Sequence, residues 1–271
     1  MNKFIALAST ISMIFGIGVK GCSSEESSDT SSTLSTTSSY TTSSKASSSS
    51  SKSSSSSSTS ASSVNYDYSY AYEGDFRFTV WTRNGVFDYC AVSARYTTLS
   101  GEVTVPSTYG SYPVTQIDYG AFSDCTQITY INIPGSITYV SAFAFDKCTK
   151  LFSFRVDSGN TRYYTDGGIL YNSFSNSIVK FPAGKDGPAF TIPSNITRIE
   201  SEAFGDTKIS SLYIPTSVTY IGGWVFEFAT SLKTLNYSGT KSQWNSIEKF
   251  EYWKQDSSLT SVVCTDGTIY L

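Results

Sequence analysis

The chain has 271 residues, with 19 Lys and Arg against 22 Asp and Glu, for a formal net charge of −3. It contains no histidine, which removes the commonest general base, metal ligand and triad member. The slight acidity and the lack of any Lys/Arg cluster speak against a nucleic-acid partner.

Residues 1–21 place Lys3 before an apolar run over 4–19, which has the length of a secretory h-region and is short for a membrane span. The run stops at Val19-Lys20-Gly21-Cys22, which resembles the bacterial lipoprotein cleavage box. Lys20 departs from the small residue usual at that place. The resemblance implies cleavage after Gly21 and a lipid on the Cys22 sulfur, which would make the protein a membrane-anchored lipoprotein. An ordinary signal peptide is the alternative. In residues 22–63 roughly thirty of about forty positions are Ser or Thr. Such a segment buries too little to offset its ordering entropy, so it reads as a disordered tether.

Residues 64–111 read as an N-terminal β cap: 76–106 alternate as strands, and Asn84-Gly85 is a hairpin signal. Leucine-like spacing then dominates 112–238. Residues 112–134, 135–157, 193–215 and 216–238 are copies of one pattern, with Ile117 recurring 23 residues on as Val140, Phe122 as Phe145, Cys125 as Cys148 and Ile131 as Phe154. Ile199 recurs 22 residues on as Ile221, and Leu212 recurs 23 on as Leu235. A period in the twenties marks a stacked solenoid, in which one coil cannot bury its own apolar side. Each copy ends in an alternating strand, as in Ile128-Thr-Tyr-Ile131-Asn-Ile133, with Ile131 and Ile133 inward and Tyr130 and Asn132 outward. A second short extended piece carries Ile137/Val140, Ile196/Ile199 and Val218/Ile221. Between the two pieces sit Ala121-Phe122, Ala144-Phe145, Ala203-Phe204 and Val225-Phe226, expected on a single helical or 3₁₀ turn with the Phe in the core.

Residues 159–190 form an insertion or degenerate coil, with Asp166-Gly-Gly-Ile-Leu-Tyr and Ser177-Ile-Val-Lys-Phe-Pro as two short strands. Residues 239–271 read as a C-terminal cap. There Thr240-Lys-Ser-Gln243 is a capping box starting a short helix that turns Trp244 and Ile247 onto the last coil, with Trp253 beside them.

The Ile-Pro-x-Ser-Ile/Val-Thr-x-Ile run followed by Ala-Phe-x-x-Cys-Thr-x-Leu, the Asp166-Gly-Gly-Ile-Leu-Tyr insertion and Tyr237-Ser-Gly-Thr-Lys-Ser-Gln-Trp244 together resemble the BspA-like leucine-rich repeat surface proteins. The resemblance covers about residues 99–271. It implies a right-handed leucine-rich-repeat solenoid, mainly of short β-strands, and a cell-surface adhesive role towards host extracellular matrix or other cells. It transfers no catalytic residue, cofactor or universal ligand.

Cys125 and Cys148 share one slot in adjacent coils, within reach of a disulfide. The slot holds Thr207 and Ala229 in the other copies, small fillers that favour buried free thiols. Cys90 and Cys264 lie towards opposite ends of the solenoid. Asp157, Asn160 and Asp166 could hold calcium but are first of all turn residues. No nucleophile elbow, phosphate-cradling loop or paired-Cys metal spacing occurs, so neither an enzyme, a cofactor nor a metal is expected. The outward positions remain as a candidate binding face. One ladder holds Asn132, Arg155, Tyr213 and Asn236. A second holds Gln116, Tyr139, Arg198 and Tyr220. Rigid Tyr rings beside Asn, Ser and Arg resemble protein-binding paratopes, although exposed strand positions favour Tyr and Thr in any case. The expectation is a lipid-anchored surface protein that binds proteins non-covalently; the alternative is a structural envelope lipoprotein without a dedicated ligand.

Overall fold

The computed structural model describes residues 64–271; the segments expected to be a signal peptide and a Ser/Thr-rich tether, with Cys22 between them, lie outside the described residues. The chain opens with β1 (Tyr66–Glu73), β2 (Phe76–Arg83), β3 (Val86–Ala94), β4 (Ser100–Thr104) and β5 (Thr108–Tyr109). The first coils add β6 (Tyr112–Ile117), β7 (Gln127–Ile133), β8 (Tyr139–Val140) and β9 (Ser153–Val156). The insertion supplies β10 (Tyr163–Asp166), β11 (Ile169–Asn172) and β12 (Ser177–Lys180). Then follow β13 (Ala189–Thr191), β14 (Arg198–Ile199), β15 (Ser211–Ile214), β16 (Tyr220–Ile221) and β17 (Thr234–Tyr237). The chain closes with α1 (Lys241–Ser246), β18 (Glu248–Lys249), β19 (Ser261–Cys264) and β20 (Gly267–Tyr270).

β1, β2 and β3 form an antiparallel meander. The β2–β3 turn carries Asn84 and Gly85 at φ 53° and 77°, both left-handed, as an Asn-Gly hairpin requires. From β3 onward the pairing is mostly parallel and follows the repeat. On one side β3 pairs with β6 and β6 with β8, and β12, β14, β16 and β18 continue in the same manner. On the other side β4, β7 and β9 form one run, and β13, β15, β17 and β19 a second. β20 folds back antiparallel on β19. The parallel rungs therefore begin at β3 and end at β19, inside the segments flanking 112–238.

The inward residues make a dry spine. Phe122 lies 5.7 Å from Phe145 with ring planes 7° apart, and Phe204 lies 5.9 Å from Phe226 with planes 21° apart. The insertion supplies a rung of its own: Phe181 stands 5.7 Å from Phe204, and its amide donates to Ala203 O just as the Phe122 amide donates to Ala144 O. Residues 159–190 are thus a degenerate coil that keeps the column while a hairpin widens it. The core falls into two contiguous clusters, one built on Phe78 to Leu170 and the other on Ile169 to Cys264. Consecutive residues of β11 serve the two.

The loops carrying these phenylalanines differ from the helical or 3₁₀ turn expected there. Each is a chain of separate turns, as in the bonds Ala121 N to Asp118 O, Ser123 N to Gly120 O and Cys125 N to Phe122 O. Gly120, Phe143, Glu202 and Trp224 have φ of 60°, 58°, 65° and 51°, and Asp124, Lys147, Asp206 and Phe228 have φ of 62°, 55°, 60° and 53°. Two left-handed residues so close together interrupt any right-handed helix.

At the far end Thr240 caps α1, with Gln243 returning the reciprocal bond, and Trp244 is buried 5.4 Å from the Tyr237 ring and 5.9 Å from the Trp253 ring. Cys90, Cys125, Cys148 and Cys264 are all free and buried. The Cys148 thiol donates to Phe122 O at 3.1 Å, and burial raises the Cys125 thiol to about 11. Asp157 and Asn160 do turn work. Asn160 Nδ2 donates to Pro134 O and Ile137 O at 3.0 and 2.9 Å, while its Oδ1 accepts from the amides of Arg162 and Tyr163. Asp157 Oδ1 accepts from Gly159 N.

Candidate functional site

The period-two alternation of each strand sends one set of side chains into the spine and leaves the other to solvent. On the first sheet Asn132 lies opposite Arg155, with Thr104 next to Asn132. Glu102 ties this cluster together. Its Oε1 accepts from Asn132 Nδ2 at 2.8 Å and from Arg155 Nη1 at 2.6 Å. These two donors hold the Glu102 carboxyl below the usual range. The Arg155 guanidinium lies 4.4 Å from the centre of the Tyr130 ring, a cation–π contact that fixes a long side chain in one place. Further on, Tyr213 lies opposite Asn236 and Ser211 opposite Thr234. Tyr213 is 45% exposed.

Asn132, Arg155, Tyr213 and Asn236 do not form one continuous ladder. The β10–β11 hairpin stands between Arg155 and Tyr213, with Phe154 N donating to Gly168 O at 2.9 Å. The approach is so close that a Cβ on Gly168 would lie 2.4 Å from Ser153 Oγ. The ladder is therefore two short ones.

The second sheet is interrupted in the same way. Gln116 lies opposite Tyr139, and Arg198 opposite Tyr220. Arg198 sits 3.8 Å above the Tyr220 ring, and burial raises the Tyr220 phenol against the pull of Arg198. Tyr139 does not meet Arg198, because the amide of its neighbour Val140 donates to Tyr163 Oη at 2.9 Å. The two sheets turn their inward residues to a shared spine, so the two sets of outward residues face different directions.

A third feature was not singled out from the sequence. The outer face of the β1–β3 meander carries Tyr66, Tyr68, Tyr70 and Tyr72, all exposed, beside Trp81 and Tyr89. Tyr68 lies 4.9 Å from Trp81, and Trp81 lies 5.7 Å from Tyr89. Burial and the nearby Asp118 and Asp88 raise the Tyr89 phenol. The adjoining row runs Tyr70, Thr79, Ala91, Gln116 and Tyr139, so Tyr139 belongs to this aromatic face. Its signal in the sequence is a tyrosine at every second position from 66 to 72. Among the described residues no helix is long and apolar enough to cross a membrane.

The family model of the BspA type leucine rich repeat region matches residues 95–187 and 185–270, in six copies. No curated protein matches the chain. Among solved structures it is similar to the pneumococcal vaccine antigen PcpA, at 18% identity and a TM-score of 0.41 over 51% of this chain and 42% of that one. The chain thus spans less than half of PcpA's length. It is also similar to a leucine-rich repeat protein from Eubacterium ventriosum, at 19% identity and a TM-score of 0.40 over 75% of this chain and 79% of that one. A leucine rich cell surface protein from Faecalibacterium prausnitzii follows at 15% identity and a TM-score of 0.35, over 66% of this chain and 97% of that one. With more than half of its length matched, the chain belongs to the BspA type leucine-rich repeat family.

Proposed function

We propose that this chain is a cell-surface repeat protein that binds other proteins non-covalently and serves in adhesion to host matrix or to other cells. The carrying observation is the register of outward rings and polar side chains over a fully buried spine: Tyr139 and Tyr213 project from sheets whose inward neighbours Ile117 and Leu212 are wholly buried. Rings held this way offer contact area at little entropy cost, and a rigid solenoid presents them as an extended surface. A lipid on Cys22 and the Ser/Thr-rich segment would display that surface away from the membrane.

The test is retention of the full chain on immobilised host matrix. Replacing Arg155, Tyr213 and Tyr220 by Ala, and separately Tyr68 and Tyr139, is expected to weaken retention at about 1–2 kcal/mol per hot-spot side chain with an unchanged melting midpoint. Retention untouched by both sets places the binding surface elsewhere. Metabolic lipid labelling of wild type but not of Cys22→Ser is the outcome expected for the anchor.

A further inference from the structure

Strand β1 ends the six-stranded sheet that runs β1–β2–β3–β6–β5, and among the described residues its eight residues pair on one side only, with β2. The other strands at sheet ends are shorter; β4, the longest of them, has five residues. Edge strands are ordinarily guarded by lysine, proline, a bulge or brevity. β1 has no lysine, arginine or proline, and its register with β2 is unbroken.

The backbone shows which groups this edge leaves over. In an antiparallel pair, alternate residues turn both N–H and C=O to the partner strand. Asn84 N donates to Asn65 O at 2.7 Å, and Asn65 N donates to Asn84 Oδ1 at 2.9 Å, so Asn65 faces β2. Asp67, Ser69, Ala71 and Glu73 follow in the same phase, and the two-residue turn Gly74-Asp75 closes on Glu73 opposite Phe76. Tyr66, Tyr68, Tyr70 and Tyr72 therefore turn N–H and C=O to the open edge. The same four residues carry the exposed rings of the outer face. Every second residue thus offers a ring to the face and a donor and an acceptor to the edge.

Only another extended strand answers such a row, and β1 is its own match. Tyr-Asp-Tyr-Ser-Tyr-Ala-Tyr-Glu read backwards keeps a tyrosine at every second place, so a second β1 laid antiparallel sets rings against rings on one face. Charge selects the register. With Ser69 on the two-fold axis, Tyr66 lies opposite Tyr72 of the second copy and Tyr68 opposite Tyr70, while Asp67 meets Ala71 and Glu73 meets Asn65. Centring on Tyr70 instead sets Asp67 directly against Glu73, two like charges opposed. Centring on Tyr68 leaves Tyr72 opposite Val64 and loses a ring pair. Residues 23–63 supply no such strand, since Tyr40 is their one aromatic residue.

We propose that β1 is a dimerisation edge, at which two copies of this chain join their six-stranded sheets antiparallel about Ser69. The pairing needs the backbone of β1 and the rings on it, and does not depend on what the aromatic face binds.

The test is sedimentation equilibrium of the full chain carrying Cys22→Ser, which removes the lipid site and leaves only the four buried thiols. The average mass is expected to climb from one chain towards two across the micromolar range. Ser69→Cys sets like residues on the axis as a non-hydrogen-bonded pair, with Cα atoms about 4.5 Å apart, inside the disulfide window. Mild oxidation should then give a covalent dimer, whereas Asp67→Cys, opposite Ala71, should give little. Tyr68→Lys with Tyr70→Lys sets like charges across the axis and should weaken association roughly tenfold or more with an unchanged melting midpoint. Tyr68→Glu with Tyr70→Lys sets opposite charges in the same register and should restore it. A chain that stays single throughout the micromolar range overturns the proposal, whether or not residues 1–63 cover the edge. A dimer indifferent to the paired lysines, or oxidised as readily through Asp67→Cys as through Ser69→Cys, joins elsewhere and overturns it too.

Discussion

Replacing Phe204 by Ala tests the stacked spine most directly. The ring is wholly buried, 5.7 Å from Phe181, 5.9 Å from Phe226 and 6.1 Å from Phe190. A phenylalanine buries roughly 150–250 Å², which at about 25 cal/mol per Å² is an upper bound of roughly 4–6 kcal/mol. Alanine keeps part of that, and large-to-small changes of this kind cost about 3–5 kcal/mol. The flanking rings are held by parallel rungs on both sides, so the void has little scope to collapse. The loss should also be local, because Phe204 belongs to the cluster running to Cys264 and not to the one built on Phe122 and Phe145. Urea unfolding gives the total loss and hydrogen exchange its distribution. Peptides covering Leu212 and Leu235 should lose about two to four decades of protection, while those covering Ile131 and Phe154 change far less. Phe174→Ala, at an 80% exposed ring, should stay within about 0.5 kcal/mol. A Phe204→Ala loss below about 1 kcal/mol, or protection lost equally in both clusters, refutes the reasoning.

Asn160→Ala strips two donors and one doubly accepting oxygen from the turn after β9 and should cost about 2–4 kcal/mol in urea unfolding; a loss near zero would show that water replaces the bracket. Thr240→Ala removes the cap of α1 and should cost about 1 kcal/mol, read as a lower melting midpoint. The four free thiols Cys90, Cys125, Cys148 and Cys264 should resist alkylation in the native state and react fully in denaturant. A Cys125–Cys148 bridge in the intact mass would contradict this. Burial raises the Asp118 carboxyl, against the Tyr119 amide and the Arg77 charge. A carboxyl with a higher pKa folded than unfolded supports the fold below its ordinary range and loses that support as pH rises through it. Asp118→Asn should therefore raise the midpoint at about pH 7, with the gain fading towards about pH 3; a gain that is independent of pH would exclude this cause.

The repeat was legible because its signal is redundant: Ile117, Phe122 and Ile131 recur at fixed intervals, and each recurrence supports the same side-chain direction. Phe181 escaped because the degenerate coil keeps the phenylalanine but drops the Ala before it and shortens the turn after it. Its place becomes visible only through the Phe181–Ala203 backbone bond. The break between Arg155 and Tyr213 was hidden for a related reason. Spacing within copies says nothing of whether a hairpin wedges between them, and Gly168 carries that contact by having no side chain. The turns were misjudged because Phe143, Glu202 and Trp224 adopt a left-handed backbone that their residue types do not advertise. The face of Tyr66 to Tyr72 was readable as alternation but was passed over next to the stronger repeat.

Parallel pairing between successive coils also bears on how such proteins change size. Strand β17 sits on β15 with Leu235 opposite Leu212, so a duplicate of residues 216–238 spliced after itself would find the same neighbours above and below. It would add one rung, about 4.8 Å of reach, while the aromatic entrance and the Trp244 stopper stayed as they are. Growth or shrinkage in whole steps is therefore open to this architecture without inventing a new core, and the breadth of what it can grasp becomes a matter of copy number.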